Sequence, residues 1–177
     1  MPTNTSTSST SSVPPAGIDP RGPRFGATIT AILLLVTIAL GLSTAATPPT
    51  TLLGRVGEPA FILLAALTAI FGWGAFAGIT RHPYGILFKK FVQPQLAPTS
   101  EREDPTPPTF AQGVGFFVTL VGVALHLAGV PFGLVGAAAA AFIAAFLNSV
   151  FAYCLGCQIY LLLVRAGVVG RKGVASA

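Results

Sequence analysis

A chain of 177 residues that is 53% hydrophobic and only 8% Asp, Glu, Lys or Arg cannot build the wetted surface of a soluble domain, where about 25% of residues are charged. A mean hydropathy of +0.77 points to a membrane protein of helical class, too short to carry a substantial soluble domain as well. The net charge of +5 comes from few, scattered residues with no aromatic–basic interleave, which argues against nucleic acid and for contact with the headgroups of a lipid bilayer.

The chain opens with "MPTNTSTSSTSSVPPAG", which is rich in Ser and Thr and has no material for a core, so residues 1–20 are expected to be a disordered tail. No basic residue precedes Arg21 and no compact apolar stretch follows the start, so the tail does not read as a secretory signal. Four apolar runs follow, at about 25–46, 59–79, 110–129 and 132–164. Each reaches the roughly 20 residues that cross the hydrocarbon layer. None alternates polar with apolar strictly, which disfavours a barrel, and helices satisfy their own backbone in lipid. The expected architecture is an all-α bundle of four transmembrane helices over residues 21–166, with a second tail at 167–177.

The fourth run, 34 residues from Pro131 to Val164, is too long for one untilted crossing. It reads in three ways. A crossing at about 132–151 precedes a short interfacial helix, with a break near 152–157. A helix starting near Gly136 carries the cysteines inside its end. Two crossings of about 17 residues share almost no loop. Charge favours four crossings over five. Arg21, Arg24, Arg81, Lys89, Lys90, Arg102, Arg165, Arg171 and Lys172 then fall on one side, and only Arg55 on the other. The positive-inside rule makes that side cytoplasmic, giving a multi-pass inner (plasma) membrane protein with both termini and the middle loop inside.

Small residues mark close helix packing: Gly74 and Gly78, the heptad-spaced Gly115, Gly122 and Gly129, and the alanines at 137–141. In the middle loop, "GILFKKF" suits an in-plane interfacial stretch with two lysines among headgroups. "EREDPTPP" reads as an exposed turn, either solubilising or partner-docking.

Cys154 and Cys157 are the only cysteines and lie three apart. That spacing admits dithiol–disulfide exchange, persulfide transfer, simple apolar packing, or metal binding. At a helix N-terminus it comes within disulfide reach. A zinc site wants four ligands, and His82 and His126 are too far apart in the topology to complete one, so no metal is expected. His126 is the one histidine inside an apolar run. Such a residue faces the bundle interior, either exchanging a proton or hydrogen-bonded to a backbone carbonyl. It sits far from the cysteines. Asn148 is expected to bond between helices, Tyr153 and Tyr160 to sit at the interface, and Trp73 to pack. No nucleotide, phosphate or protease motif occurs, so no cofactor is expected. The five acids, Asp19, Glu58, Glu101, Glu103 and Asp104, all lie outside the runs.

The segments "IDPRGPRFGA", "HPYGILFKKFVQPQLAP", "PPTFAQGVG" and "LNSVFAYCLGCQIYLLLVR" together resemble the DUF4395 family of bacterial integral membrane proteins, over about residues 18–165. The resemblance implies a four-helix membrane fold. Members often accompany thioredoxin-like or sulfurtransferase genes, which implies thiol redox or sulfur handling and a partner of that kind. It places Cys154 and Cys157, with Asn148 and Tyr160 around them, as the family's cysteine pair, and implies no established mechanism.

Three functions compete. The first is a thiol-redox or sulfur-relay protein using Cys154 and Cys157, with His126 in a separate proton step. The second is a non-catalytic subunit that docks a thioredoxin-like or sulfurtransferase partner. The third is a carrier of a small sulfur compound, which needs a homo-oligomer to form a pore.

Overall fold

The computed structural model describes residues 17–169. The segments 1–16 and 170–177, including most of both expected tails and Arg171 and Lys172, lie outside the described residues. The rest is helical: α1 Arg21–Gly41, α2 Leu52–Val56, α3 Pro59–Ala77, α4 Pro83–Leu87, α5 Thr106–Leu127, α6 Gly133–Phe151 and α7 Leu155–Arg165. Four of these, α1, α3, α5 and α6, are long and apolar enough to cross a membrane. The fold is a four-helix transmembrane bundle.

The crossings pack as a ring in which α1 touches α3, α3 touches α5, α5 touches α6, and α6 closes back on α1. At the centre, Leu34 of α1 meets Ala60, Leu64 and Leu67 of α3 and Leu134, Ala138 and Ala141 of α6. The buried face of α1 recurs at Thr30, Leu34, Thr37 and Gly41, the spacing of one helical stripe. Thr37 is silent in lipid because its Oγ1 donates to Leu33 O at 2.9 Å. Thr68 and Thr119 do the same to Leu64 O and Gly115 O, so no hydroxyl is buried unpaired at these three sites. Outward faces carry Ile32, Leu35, Ile62, Phe76, Phe117 and Ile143. A bundle with apolar residues on both its inner and outer faces fits lipid rather than water as its solvent.

The small residues divide into two roles. Gly115 makes room for the Phe71 ring, and Gly122 lies against Ala137 and Leu64 and lets α5 approach α6 closely. Gly78 (φ +84) and Gly129 (φ +75) instead end α3 and α5 in conformations that exclude most side chains. The repeats seen in the sequence are therefore half packing and half punctuation. Trp73, expected to pack, is 59% exposed and its indole N–H donates to Arg81 O at 3.1 Å. An amphipathic ring with its polar edge at a helix end is an interfacial anchor.

Two crossings begin about one turn before their apolar runs. Each start is an Asp-Pro pair. Asp19 Oδ1 accepts the Arg21 N–H at 3.0 Å, and Asp104 Oδ1 accepts the Thr106 N–H at 2.8 Å. A carboxylate two residues upstream satisfies donors that a helix start leaves free, and proline in the first turn loses no bond. Residues 17–20 are thereby part of the fold: Ile18 and Glu103 exchange backbone hydrogen bonds at 2.9 and 3.0 Å. Asp19 also holds the Arg21 guanidinium at 2.7 Å, and Arg21 Nη1 reaches Ala97 O at 3.1 Å. The start of the bundle thus straps down the middle loop.

The side-chain hydrogen bond from Arg21, opposed in part by desolvation, holds the Asp19 carboxyl below its ordinary value. A depressed carboxylate contributes stability that is present above its unfolded pKa and is lost as pH falls through the folded one. Asp19→Asn is therefore expected to lower the melting temperature of the purified protein at pH 7. The gap from wild type should shrink as pH falls below the ordinary carboxylate range. A gap that does not change with pH would show that the Asp19 charge does not contribute.

Candidate functional site

The fourth apolar run breaks where one residue of ordinary appearance takes a special conformation. Ala152 adopts a left-handed backbone (φ 56), and the Tyr153 N–H returns to Leu147 O at 3.1 Å. A left-handed residue just past the last turn is how many helices end, usually at glycine; an alanine there bears a strain of roughly 1 kcal/mol. The crossing is therefore 133–151, followed by a separate helix, the first of the three sequence readings. At 11 residues, α7 is about 16 Å long and too short to span.

The break makes Cys154 the N-cap of α7. Its sulfur accepts the Cys157 N–H at 3.2 Å, and the two cysteines form a disulfide with their Cα atoms 5.2 Å apart. Both side chains are half-buried. Gly156 next to them is buried, and a Cβ there would stand 2.5 Å from that of Ala111 in α5. Tyr160 packs on Phe110, their rings tilted and 5.5 Å apart between centres. Thus α7 is held against the first turns of α5 by Gly156 and Tyr160, which positions the cysteines at one end of the bundle. Asn148 forms no side-chain hydrogen bond among the described residues, in contrast to the interhelical bond expected, and Tyr153 is exposed.

That end also carries most of the cations. Arg21 and Arg24 start α1, Arg81, Lys89, Lys90 and Arg102 lie between α3 and α5, and Arg165 ends α7. Arg55 alone is at the other end among the described residues. At the cysteine end, His82 is buried as the N-cap of α4, its Nδ1 accepting the Tyr84 N–H at 3.3 Å. Burial lowers its pKa below the usual histidine value and raises that of Tyr84, so both are neutral at pH 7. Among the described residues, no three His, Cys, Asp or Glu side chains cluster as a metal site would require.

His126 lies at the opposite end and does not join the cysteines. From Ala111, beside Gly156, to His126 is 15 residues, about 22 Å along the helix. The ring is 5% exposed and stacks on Phe61 at 5.4 Å. Nε2 sits 3.1 Å from Arg55 O and 3.2 Å from Glu58 Oε2. Both neighbours are acceptors, so Nε2 carries a hydrogen. Arg55 completes the knot: its guanidinium donates to Pro49 O, Thr50 O and, at 2.8 Å, to Leu127 O at the end of α5. A cavity of about 10 Å³, room for one water, is lined by Thr44, Glu58, His126 and Phe132. The sequence placed His126 correctly inside the bundle but not its partner Glu58, which looks like a loop acid and meets the histidine only through the hairpin.

A four-helix membrane bundle with a cysteine pair capping a short helix at its basic end is the class of protein this arrangement defines. The family described as Domain of unknown function (DUF4395) matches residues 18–165, and the chain belongs to it. No curated protein and no solved structure matches the chain.

Proposed function

We propose that this protein is a thiol-redox or sulfur-relay protein of the inner membrane, acting through Cys154 and Cys157 at the cytoplasmic face. The observation that carries this reading is the capping geometry: the Cys154 sulfur accepts the Cys157 N–H at the start of α7. A helix N-terminus favours a thiolate over a thiol. Cys154 is therefore the attacking sulfur and Cys157 the resolving one. Cys154 thiolate attacks a partner disulfide, forms a mixed disulfide and releases one partner thiolate. Cys157 thiolate then attacks Cys154 Sγ, closes the internal disulfide and releases the second. The partner gains two electrons, and this chain loses them. With a partner persulfide, Cys154 takes the outer sulfur and releases the partner thiolate; Cys157 then displaces that sulfur as hydrosulfide.

The cation asymmetry supports a cytoplasmic placement of the cysteine end. The partner proposed for that face is a thioredoxin-like or sulfurtransferase protein. Thiol alkylation in native membranes, with and without reductant, tests the reading. Both cysteines should label after reduction and resist label after oxidation. Thiols that never react or oxidise under any redox condition would end it.

A second reading, a non-catalytic subunit docking the same class of partner, draws on the strapped middle loop, which offers a fixed platform at that face. Full function of a double Cys→Ser variant would select it.

A further inference from the structure

The stretch between α3 and α5 turns one face inward and leaves the other uncovered. Inward, His82 is buried, Tyr84 packs on Gly26, and Phe88 packs on Gly22. Phe88 also meets Phe25 at 5.8 Å between ring centres. These contacts fasten residues 82–92 across the first turns of α1. After α4 the backbone widens into a π turn, Phe88–Val92, and this turn leaves Lys89, Lys90 and Phe91 all exposed in succession while Phe88 stays buried.

The outer face mixes oil and positive charge. Ile86 is 56% exposed and Phe91 54%, with Leu87 beside them. Lys90 Nζ stands 5.4 Å from the centre of the Phe91 ring. Neither lysine forms an ion pair among the described residues. Asp19 is taken by Arg21 and Glu58 by His126 at the far end. The stretch begins where a crossing helix ends, one turn past the interfacial Trp73, so its depth is that of the headgroups.

We propose that residues 83–92 form an in-plane anchor that selects anionic lipid. Lys89 and Lys90 take headgroup phosphates, and Ile86, Leu87 and Phe91 enter the acyl boundary. The lysine stems bridge the two zones, because their methylenes lie along apolar surface while the ammonium reaches outward. The protein face that fits a lipid surface is one where cations and apolar side chains alternate at a single depth, as here. This inference is independent of the cysteine chemistry.

The test uses the full chain in neutral detergent, offered phosphatidylglycerol or phosphatidylcholine, with bound lipid counted by native mass spectrometry. Wild type is expected to prefer phosphatidylglycerol, less so as salt rises. Lys89→Gln with Lys90→Gln should cut that preference by up to about 30-fold, at roughly fivefold per lysine. Lys89→Arg with Lys90→Arg should keep it, and Ile86→Ser with Phe91→Ser should weaken both lipids without changing their ratio. Equal binding of the two lipids by wild type would overturn the proposal. So would an unchanged preference in the glutamine variant, including one that moves only with Arg24→Gln and Arg165→Gln.

Discussion

Cys157→Ser is expected to accumulate a covalent complex with its partner, and Cys154→Ser is not. The reason is the asymmetry at the start of α7. Only Cys154 sits at the N-cap, where the Cys157 N–H points at its sulfur at 3.2 Å. A serine at 157 keeps that backbone N–H and the helix start, so the Cys154 thiolate retains its stabilisation and its reactivity. What is lost is the thiol that resolves the mixed disulfide, and the adduct persists. Cys154→Ser leaves Cys157 in the first turn of the helix without the cap position, and a hydroxyl in place of the attacking sulfur. Adduct yield should differ by tenfold or more, on the order of 1.4 kcal/mol in the attacking step. Membranes from each variant, quenched with acid and separated without reductant, read the result directly. His126→Gln should leave both yields unchanged, because the ring lies about 22 Å along α5 from the cysteine end. Equal trapping by both cysteine variants would remove the role assignment, and dependence on His126 would contradict the separation of the two ends.

The number of crossings was legible because run length and charge placement reflect the same constraint: apolar residues fill the span and cations stay at its ends. What stayed hidden depends on contacts distant in sequence or on backbone conformation. The Asp19 and Asp104 starts extend α1 and α5 beyond their apolar runs, a gain that hydropathy does not register, although Asp-Pro before a helix is a usable signal. A break near 152–157 is one of three readings of the fourth run, and Ala152, the residue that makes it, is no glycine that would select that reading. The break arises because Gly156 and Tyr160 dock α7 on α5, a tertiary gain that overrides the local preference of alanine. Glu58 could not be matched to His126 from 68 residues away. The cysteine pair was visible as spacing, yet its position as a helix cap, which assigns the two sulfurs different roles, needed the break to be known.

The seam between α5 and α6 helps to close the ring. Gly122→Ala should destabilise the bundle by about 1–3 kcal/mol, whereas Gly136→Ala should not. A Cβ at 122 would stand 2.5 Å from the Cβ of Ala137 and 3.2 Å from Leu64 Cδ2. The leucine end can swing aside, but the Ala137 Cβ is fixed to the backbone of α6, so the helices must separate. Separation costs dispersion contacts along the whole α5–α6 seam, and lipid supplies no hydrophobic force to restore them. Gly136 lies on the same helix as Ala137 with nothing within 4 Å of its Cβ position. Alanine there adds helix propensity of up to about 1 kcal/mol and meets no neighbour. The pair can be separated from a general intolerance of alanine by a double-mutant cycle. Removing the opposing methyl with Ala137→Gly should recover most of the loss caused by Gly122→Ala, less the helix propensity forfeited at 137. Unfolding in mixed detergent micelles, followed by far-UV dichroism, measures all four proteins. If Gly122→Ala and Gly136→Ala melt alike, or if Ala137→Gly fails to rescue, α5 and α6 do not touch at this point and the ring order falls with them.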